Sequence, residues 1–273
     1  MPNRPPLPTR LLRAEDAGAR ALAQRAGAHG VYVTNALAAG EAQGFVQRRG
    51  DEDAVLAWFG ARGNLVLIGP DDLSSLELEA VLTEIQLTRR SWRIAMGPRR
   101  IVEGLALRAT APPLVLRDQV YYGGSADTAA DDRVRDDVRA AVRADRDRLV
   151  QATLQLNASD LHIPPAQVDR RWLRDTIDER IRECTTRVIG APGAVACKLD
   201  LGSQGPGGTV LEGVFTFADR RGEGLATGLV ATCLRDAADF ACLHVGVHNA
   251  PARAAYERAG MQEFDRCRLL LLA

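Results

Sequence analysis

The chain has 273 residues, 46% hydrophobic and 26% charged, and its 35 Lys and Arg residues balance its 35 Asp and Glu residues. This length favours two domains of ordinary size, or one core with a substantial additional lobe. Because the charge is balanced, the protein lacks the long-range positive field that binds a phosphate backbone, so we expect no nucleic-acid partner. The five cysteines contain no C-x-x-C pair, so buried free thiols are favoured over a zinc or redox site, and no metal is expected.

The start of the chain, residues 1–8, is rich in proline and has no apolar stretch of the kind found in signal peptides. No apolar run approaches the ~18 residues that a membrane span needs. We therefore expect a cytoplasmic protein without a membrane partner.

The first half is predicted to begin with a strand, followed by helical stretches, three strands, a helix, a strand, a helix and a last strand. Apolar alternation and helical spacing give the strands as residues 9–13, 45–48, 55–59, 65–68, 92–95 and 119–122, and the helices as 76–87 and 100–107. A small, polar segment without periodicity follows. We therefore predict an N-terminal lobe at residues 1–125, a linker at 126–132 and a second domain at 133–273.

The second half reads more clearly as β-α-α-β-β-β-α-β-α-β. A short strand ends near Val142, and helices are predicted at residues 144–157 and 169–184, the latter with Asp169 as its N-terminal signal. Strands at 185–189, 194–199 and 210–218 are joined by glycine-rich turns, which indicates an antiparallel meander. A helix from Leu225, a strand at 240–247, a helix at 251–258 and a strand at 264–271 complete the order. The first half repeats this order without a residue-level repeat, so duplication is a hypothesis.

The most informative stretch runs from Val214 to Ala226, where a strand passes through the turn Asp219-Arg220-Arg221-Gly222-Glu223-Gly224 into a helix. Such a turn leaves unpaired backbone N–H groups at the positive end of a helix, which suits a pyrophosphate. The alternative is that the glycines serve only the tight turn, as in many strand-to-helix connections. The stretch matches neither G-x-x-x-x-G-K-[ST] nor G-x-G-x-x-G.

Arg221-x-x-Gly224-x-Ala226 resembles the acetyl-CoA pyrophosphate motif Q/R-x-x-G-x-G/A of the GCN5-related acetyltransferases, the GNAT family. Downstream, Asn249-x-x-Ala252-x-x-x-Tyr256-x-x-x-Gly260-Met261 resembles that family's second signature. Met261 and Ala218 depart from the usual aromatic residue and proline. The resemblance covers roughly residues 133–273 and implies an α/β (α+β) GNAT fold, a mixed and mostly antiparallel sheet flanked by helices.

The whole chain looks like a bacterial type, found in actinobacteria and deinococci, in which a further lobe precedes such a domain. This resemblance rests on residues 92–98 and 138–145. The first half then forms a degenerate GNAT-like lobe. At its counterpart of the pyrophosphate turn, Ile68-Gly69-Pro70-Asp71-Asp72, two carboxylates and a proline oppose phosphate binding. We predict that this lobe binds no CoA.

The resemblance implies how the second domain holds acetyl-CoA. The backbone around the pyrophosphate, with a hydroxyl from Thr227, would come from Arg221, Gly222, Glu223, Gly224, Leu225 and Ala226. Because the fourth and fifth strands splay apart in this family, main-chain groups of Phe215 and Thr216 would pair with the pantetheine arm. The alternative is ordinary strand packing of Phe215 and Thr216. Asn249 would border the cofactor channel, or would be only a helix cap.

The resemblance also suggests two catalytic residues. Tyr256 would act as the acid that protonates the leaving thiolate, with helix-to-sheet packing as its alternative role. Glu212 would act as the base that accepts the amine proton, although an isolated strand glutamate is more often solvated or ion-paired. His244 and His248 flank the fifth strand but are expected to be structural.

The implied activity is direct transfer of an acetyl group from acetyl-CoA to a primary amine, on a small molecule or a peptide. Two alternatives remain open. A non-catalytic acyl-CoA sensor or interaction protein would bind the cofactor without using Tyr256, and a structural protein with a vestigial fold would bind no CoA. The acceptor and the length of the acyl group are not encoded in a recognisable motif, and either a monomer or a homodimer is expected.

Overall fold

The computed structural model of the protein describes residues 8–110 and 112–273. The proline-rich start therefore lies, apart from Pro8, outside the described residues. The chain forms two compact units: one contains the described residues up to Tyr121, Gly205–Gly207 and Asp265–Ala273, and the other contains Tyr122–Gln204 and Gly208–Phe264. The domain bounds inferred from the sequence remain a prediction. Among the helices of the described residues, none has the length and apolar character of a bilayer span.

The first unit is built from the predicted elements in the predicted order. In chain order they are β1 (Thr9–Leu11), α1 (Ala17–Arg25), α2 (Gly27–Ala38), β2 (Gly44–Arg49), β3 (Glu52–Phe59), β4 (Asn64–Ile68), α3 (Ser75–Leu87), β5 (Ile94–Gly97), α4 (Arg99–Arg108) and β6 (Val115–Gly124). Residues of β6 from Tyr122 onward belong to the second unit. The strand predicted at residues 92–95 begins two residues later, at Ile94.

The sheet of the first unit is mixed. β1 to β4 pair antiparallel in sequence order, and β4 pairs parallel with β5 through three residue pairs from Asn64↔Ile94 to Val66↔Met96. The last strand of the chain, β12 (Gln262–Leu271), pairs antiparallel with β5 from Arg268↔Gly97 to Leu271↔Ile94. Buried side chains of α3 and α4 pack on this sheet, which explains why the central strands are continuously apolar.

The second unit repeats the order of the first. Its elements are β7 (Val138–Ala140), α5 (Arg146–Asp160), α6 (Arg170–Arg182), β8 (Thr186–Ile189), β9 (Cys197–Gly205), β10 (Gly208–Thr216), α7 (Leu225–Arg235), β11 (Ala241–Gly246), α8 (Ala250–Arg258) and the start of β12. The predicted N-terminal signal of the second helix is confirmed, because the Asp169 carboxylate accepts hydrogen bonds from the N–H groups of Arg171 and Trp172. Two short 3₁₀ turns, Ala126–Thr128 and Asp131–Arg133, occupy most of the predicted linker.

The strands of the second unit lie in the order β11-β10-β9-β8-β7. β7 with β8 and β8 with β9 are antiparallel, whereas β10 and β11 are parallel. The prediction of β9 at residues 194–199 was wrong in its bounds, since a turn in which Ala194 N–H donates to the Ala191 carbonyl precedes the strand, which then runs to Gly205. Polar residues after Leu199 lie in a strand because neighbouring strands supply backbone hydrogen bonds whatever the side chains.

Candidate functional site

The turn between β10 and α7 is open. Gly224 adopts a left-handed backbone conformation (φ 72°) as the N-cap of α7, with no side-chain cap, and Gly222 is also left-handed (φ 85°). An added Cβ at either glycine would have no atom within 4 Å. Both positions therefore favour glycine for their backbone conformation, and both face free space.

The backbone N–H groups of this turn are available to a ligand. In the described part of the chain, no acceptor pairs with the N–H groups of six consecutive residues; the first N–H of the helix to be bonded is that of Gly228, which donates to the Gly224 carbonyl. The six residues are Gly222, Glu223, Gly224, Leu225, Ala226 and Thr227. Unpaired N–H groups at a helix start carry partial positive charge, so the turn can bind an anion.

Charged side chains lie beside the turn and leave its N–H groups accessible. Arg220 and Glu223 form a bidentate ion pair, with N–O distances of 2.7 and 2.8 Å, on the exposed surface. The Arg221 guanidinium is exposed and donates from Nε to the Thr216 carbonyl oxygen at 3.3 Å. Of the residues predicted to contact the pyrophosphate, Leu225 and Thr227 have buried side chains, and their contact with a cofactor remains a prediction.

Strand β10 pairs with β11 at its beginning. Pairing between the two strands covers Thr209↔Ala241 and Val210↔Cys242 in the described residues, although β10 continues to Thr216. Gly213 lies in the middle of β10 with a positive φ of 58°, which bends the strand as a bulge does. Binding of a pantetheine arm along the end of β10 remains a prediction.

Phe215 and Thr216 lie at the end of β10. The Phe215 ring is buried and stands edge-on to Phe217, with ring centres 5.2 Å apart. Thr216 donates its hydroxyl to the sulfur of Cys197 at 3.2 Å. Burial raises the pKa of the Cys197 thiol to about 11, so this cysteine is neutral near pH 7 and a weak nucleophile despite its location.

Tyr256 is a buried residue of α8. Its side chain is 6% exposed, its ring meets the Tyr122 ring edge-on at 6.0 Å between centres, and no hydrogen bond joins its hydroxyl to any described residue. Burial, followed by the negative charge of Asp160, raises the pKa of the phenol well above its ordinary value of 10. Tyr256 is therefore a neutral phenol with a free hydroxyl, which can donate a proton.

Glu212 lies on β10 one residue before the bulge, and its side chain is about one third exposed. The carboxylate lies over Gly202 of β9, where even a Cβ would come within 2.5 Å of the Glu212 Cδ atom. An Arg180 nitrogen is 3.7 Å from the Glu212 carboxylate. Glu212 is therefore partly ion-paired and still accessible to solvent.

A buried ionic cluster lies next to Glu212. Asp200 receives hydrogen bonds of 2.6 Å from Lys198 Nζ and from the Thr186 hydroxyl, and it also contacts Arg180. Burial opposes ionisation of Asp200, but the charges of Lys198 and Arg180 outweigh it and hold the pKa of the carboxyl below its ordinary value. An added Cβ at Gly213 would come within 2.8 Å of Lys198 Nζ, so the cluster packs directly on the bulge.

Asn249 acts as the N-cap of α8. Its Oδ1 atom accepts a hydrogen bond of 3.2 Å from the N–H group of Ala252, the capping role that was the alternative for this residue. Contact of Asn249 with a cofactor remains a prediction. His248, two residues after β11, is exposed, and His244 on β11 is partly buried.

The corresponding position in the first unit is closed. The N-terminus of α3 carries a capping box, in which Ser74 Oγ accepts from the Glu77 N–H and the Glu77 carboxylate accepts from the Ser74 N–H at 2.8 Å. Glu77 is fully buried and also pairs with Arg49, with N–O distances of 2.9 and 3.2 Å. A carboxylate of the protein itself thus occupies the anion-binding end of this helix.

Two features of this region were not predicted from the sequence. Lys198, the single lysine of the chain, has a side chain that is 4% exposed and paired with Asp200. Tyr122, which was expected only to end a strand of the N-terminal lobe, contacts Tyr256. The i, i+2 alternation of Lys198 and Asp200 on one strand was a usable signal for the first feature. No local pattern indicated the second.

The comparisons with known proteins agree with this geometry. Residues 172–261 match the family model described as the acetyltransferase (GNAT) family, a span that includes the open turn, Glu212 and Tyr256. No curated protein matches the chain. Among solved structures, a GCN5-related N-acetyltransferase from Sphaerobacter thermophilus is similar over 97% of this chain and 94% of its own, with 16% identity and a TM-score of 0.56.

An acetyltransferase of the GNAT family from Colwellia psychrerythraea is similar over 97% of this chain and 100% of its own, with 13% identity and a TM-score of 0.50. At such identities the likeness concerns the fold, and it extends over both units. The chain therefore contains a GNAT-family domain, matched over residues 172–261, and has the GNAT fold, with a GNAT-like lobe preceding that domain.

Proposed function

We propose that this protein transfers an acetyl group from acetyl-CoA directly to a primary amine. The observation that carries the proposal is the run of six unpaired N–H groups at the start of α7. A diphosphate needs several converging donors and a positive local field, and this turn has both. The family match of residues 172–261 supports acyl transfer as the chemistry.

The residues at the turn fit the diphosphate of CoA in shape as well as in charge. Free space lies over Gly222 and Gly224, so phosphate oxygens could approach the main chain closely. The exposed Arg221 guanidinium adds a positive charge beside them. Phe215 and Thr216 would offer main-chain groups to the pantetheine arm at the end of β10. The bound molecule would contribute an activated thioester.

Two side chains are suited to move the protons of an acetyl transfer. Tyr256 retains its phenolic proton at neutral pH and would donate it from Oη to the sulfur that leaves. Glu212 is partly exposed and would accept at its carboxylate the proton that the amine nitrogen loses as the new C–N bond forms. The neutral thiol of Cys197 argues for attack by the amine itself rather than through a cysteine.

Calorimetric titration with acetyl-CoA tests the binding step. We compare the wild-type protein with Gly224→Glu, whose carboxylate would enter the anion site, and with Gly40→Glu as a matched control. Gly40 also has a positive φ (82°) and free space at its Cβ position, so both substitutions impose the same kind of backbone strain. We expect Gly224→Glu to weaken binding by at least about tenfold and Gly40→Glu to leave it unchanged.

Equal affinities for the wild type and Gly224→Glu would contradict the assignment of the turn. A panel of primary amines, including small molecules and peptides, then tests the transfer itself by release of free CoA thiol. Tight binding of acetyl-CoA without acetylation of any amine would favour a non-catalytic sensor instead.

A further inference from the structure

Tyr122 lies at the end of the N-terminal half in sequence but within the compact unit that carries the candidate site. It belongs to β6, and its side chain is fully buried. Its hydroxyl donates a hydrogen bond of 2.7 Å to Glu257 Oε1 and accepts one of 3.1 Å from Arg253 Nε. The two bonds fix both the position and the rotation of the Tyr122 ring against α8.

The partners of Tyr122 occupy one face of α8. Arg253 and Glu257 are four residues apart, so their side chains lie on one face of α8, whereas Tyr256, directly before Glu257, points to the buried side of the helix. Arg253 also donates to the Val247 carbonyl at 3.3 Å and to Glu263 at 3.1 Å. Tyr122 is therefore part of a connected network that holds this helix face.

The hydroxyl of Tyr256 has no hydrogen-bond partner among the described residues, so packing on its ring decides where that hydroxyl points. The Tyr122 ring meets the Tyr256 ring at 63°, with 6.0 Å between centres, a favourable edge-to-face geometry. A shift of about 1 Å in a reacting group can change a rate by orders of magnitude. The contact between the two tyrosines is thus suited to control proton donation.

We propose that Tyr122 is a positioning residue that acts through Tyr256, so that the N-terminal half supplies part of the acetyl-transfer site. This inference rests on the proposed function, because it assigns Tyr122 a role in proton donation by Tyr256. It gives the N-terminal half a use other than binding CoA. The catalytic half alone, without residues before Ser125, would lack this support for its acid.

A double-mutant cycle measures the effect. Tyr122→Leu removes the ring, Tyr122→Phe keeps it without the hydroxyl, and each is made in the wild type and in Tyr256→Phe. We expect Tyr122→Leu to lower kcat about tenfold with an unchanged Kd for acetyl-CoA, and Tyr122→Phe, which keeps the ring but loses its two hydrogen bonds, to lower kcat by a smaller factor. In the Tyr256→Phe background, Tyr122→Leu should change kcat by less than about twofold, because no hydroxyl remains to be positioned.

Tyr121→Leu is the matched control, since Tyr121 is the neighbouring tyrosine of the same strand, is equally buried and bonds instead to His29. Tyr121→Leu should lower the melting temperature, but its effect on kcat should not depend on whether Tyr256 is present. If Tyr122→Leu lowers kcat equally in both backgrounds, Tyr122 is structural and the inference is overturned while the proposed function stands. If the wild-type protein acetylates no amine in the panel, the proposed function fails first, and this inference fails with it.

Discussion

The guanidinium group of Arg180 lies 3.7 Å from the Glu212 carboxylate and at the same time contacts Asp200. One side chain from α6 therefore links a buried ionic cluster to a glutamate on β10. Asp200 also accepts hydrogen bonds from Lys198 and Thr186, so the carboxylate that Arg180 contacts is held in place. This arrangement restrains the Glu212 carboxylate, which remains about one third exposed, next to the bulge of β10.

Replacement of Glu212 tests its role as the base. We expect Glu212→Gln to lower kcat about 10²-fold, because the amide cannot accept the amine proton, while the Kd for acetyl-CoA stays the same. Glu183→Gln is the control, since Glu183 is an exposed carboxylate of the same unit. Steady-state kinetics with the best amine of the panel gives the answer, and equal rates for the two variants would remove Glu212 from the mechanism.

Replacement of Tyr256 tests the acid. Tyr256→Phe should lower kcat by at least about tenfold without weakening acetyl-CoA binding. Because burial raises the phenol pKa above its ordinary value of 10, the protonated, proton-donating form persists up to that pH and is lost only as the pH rises further. The rate should therefore show no fall caused by Tyr256 up to about pH 10.

A tyrosinate difference spectrum checks this assignment independently of turnover. We compare the absorbance change at alkaline pH of the wild type with that of Tyr256→Phe, which lacks one of the four tyrosines. The two titrations should coincide up to about pH 10, because a buried phenol does not ionise there. An additional tyrosinate in the wild type near neutral pH would contradict the acid role.

The ionic cluster contributes to stability as well as to the site. Asp200→Asn should reduce the free energy of unfolding by about 3–5 kcal/mol in urea denaturation, because it leaves the Lys198 ammonium buried without its counter-ion. Asp236→Asn is the control: its pair with Arg235 is exposed, and its loss should cost less than about 1 kcal/mol.

The same carboxyl predicts a dependence on pH. The pKa of Asp200 in the folded protein lies below the ordinary value of 3.8, so its stabilising effect is present above that value and is lost as the pH falls through the folded pKa. The stability gap between the wild type and Asp200→Asn should therefore narrow below about pH 3.8. A constant gap down to pH 2 would show that the carboxylate charge is not the cause.

The closed start of α3 predicts one acetyl-CoA per chain. The buried carboxylate of Glu77 occupies the helix end that would otherwise attract a diphosphate, and Arg49 neutralises that carboxylate. Calorimetry should give a stoichiometry near one, and Gly224→Glu should weaken binding at that single site by at least about tenfold. Two binding events per chain, or one that survives Gly224→Glu, would show that the first unit binds CoA.

Much of the fold could be read from the sequence. The order of strands and helices in both halves was correct, because apolar periodicity reports which side of each element meets the core. The cap at Asp169 was also predictable, since a capping carboxylate acts on N–H groups two and three residues away. The bounds of β9 were wrong because its polar end, from Asp200 to Gly205, is held by neighbouring strands.

The sequence by itself determined the order of the elements and the glycine-bearing turn before α7, because both depend on residues close together in the chain. Only the tertiary structure decided that β12 pairs with β5, that Arg180 contacts both Asp200 and Glu212, and that the Tyr122 ring meets Tyr256. Contacts between residues 20 or more positions apart leave no local periodicity, since burial and charge pairing are satisfied in space rather than along the chain.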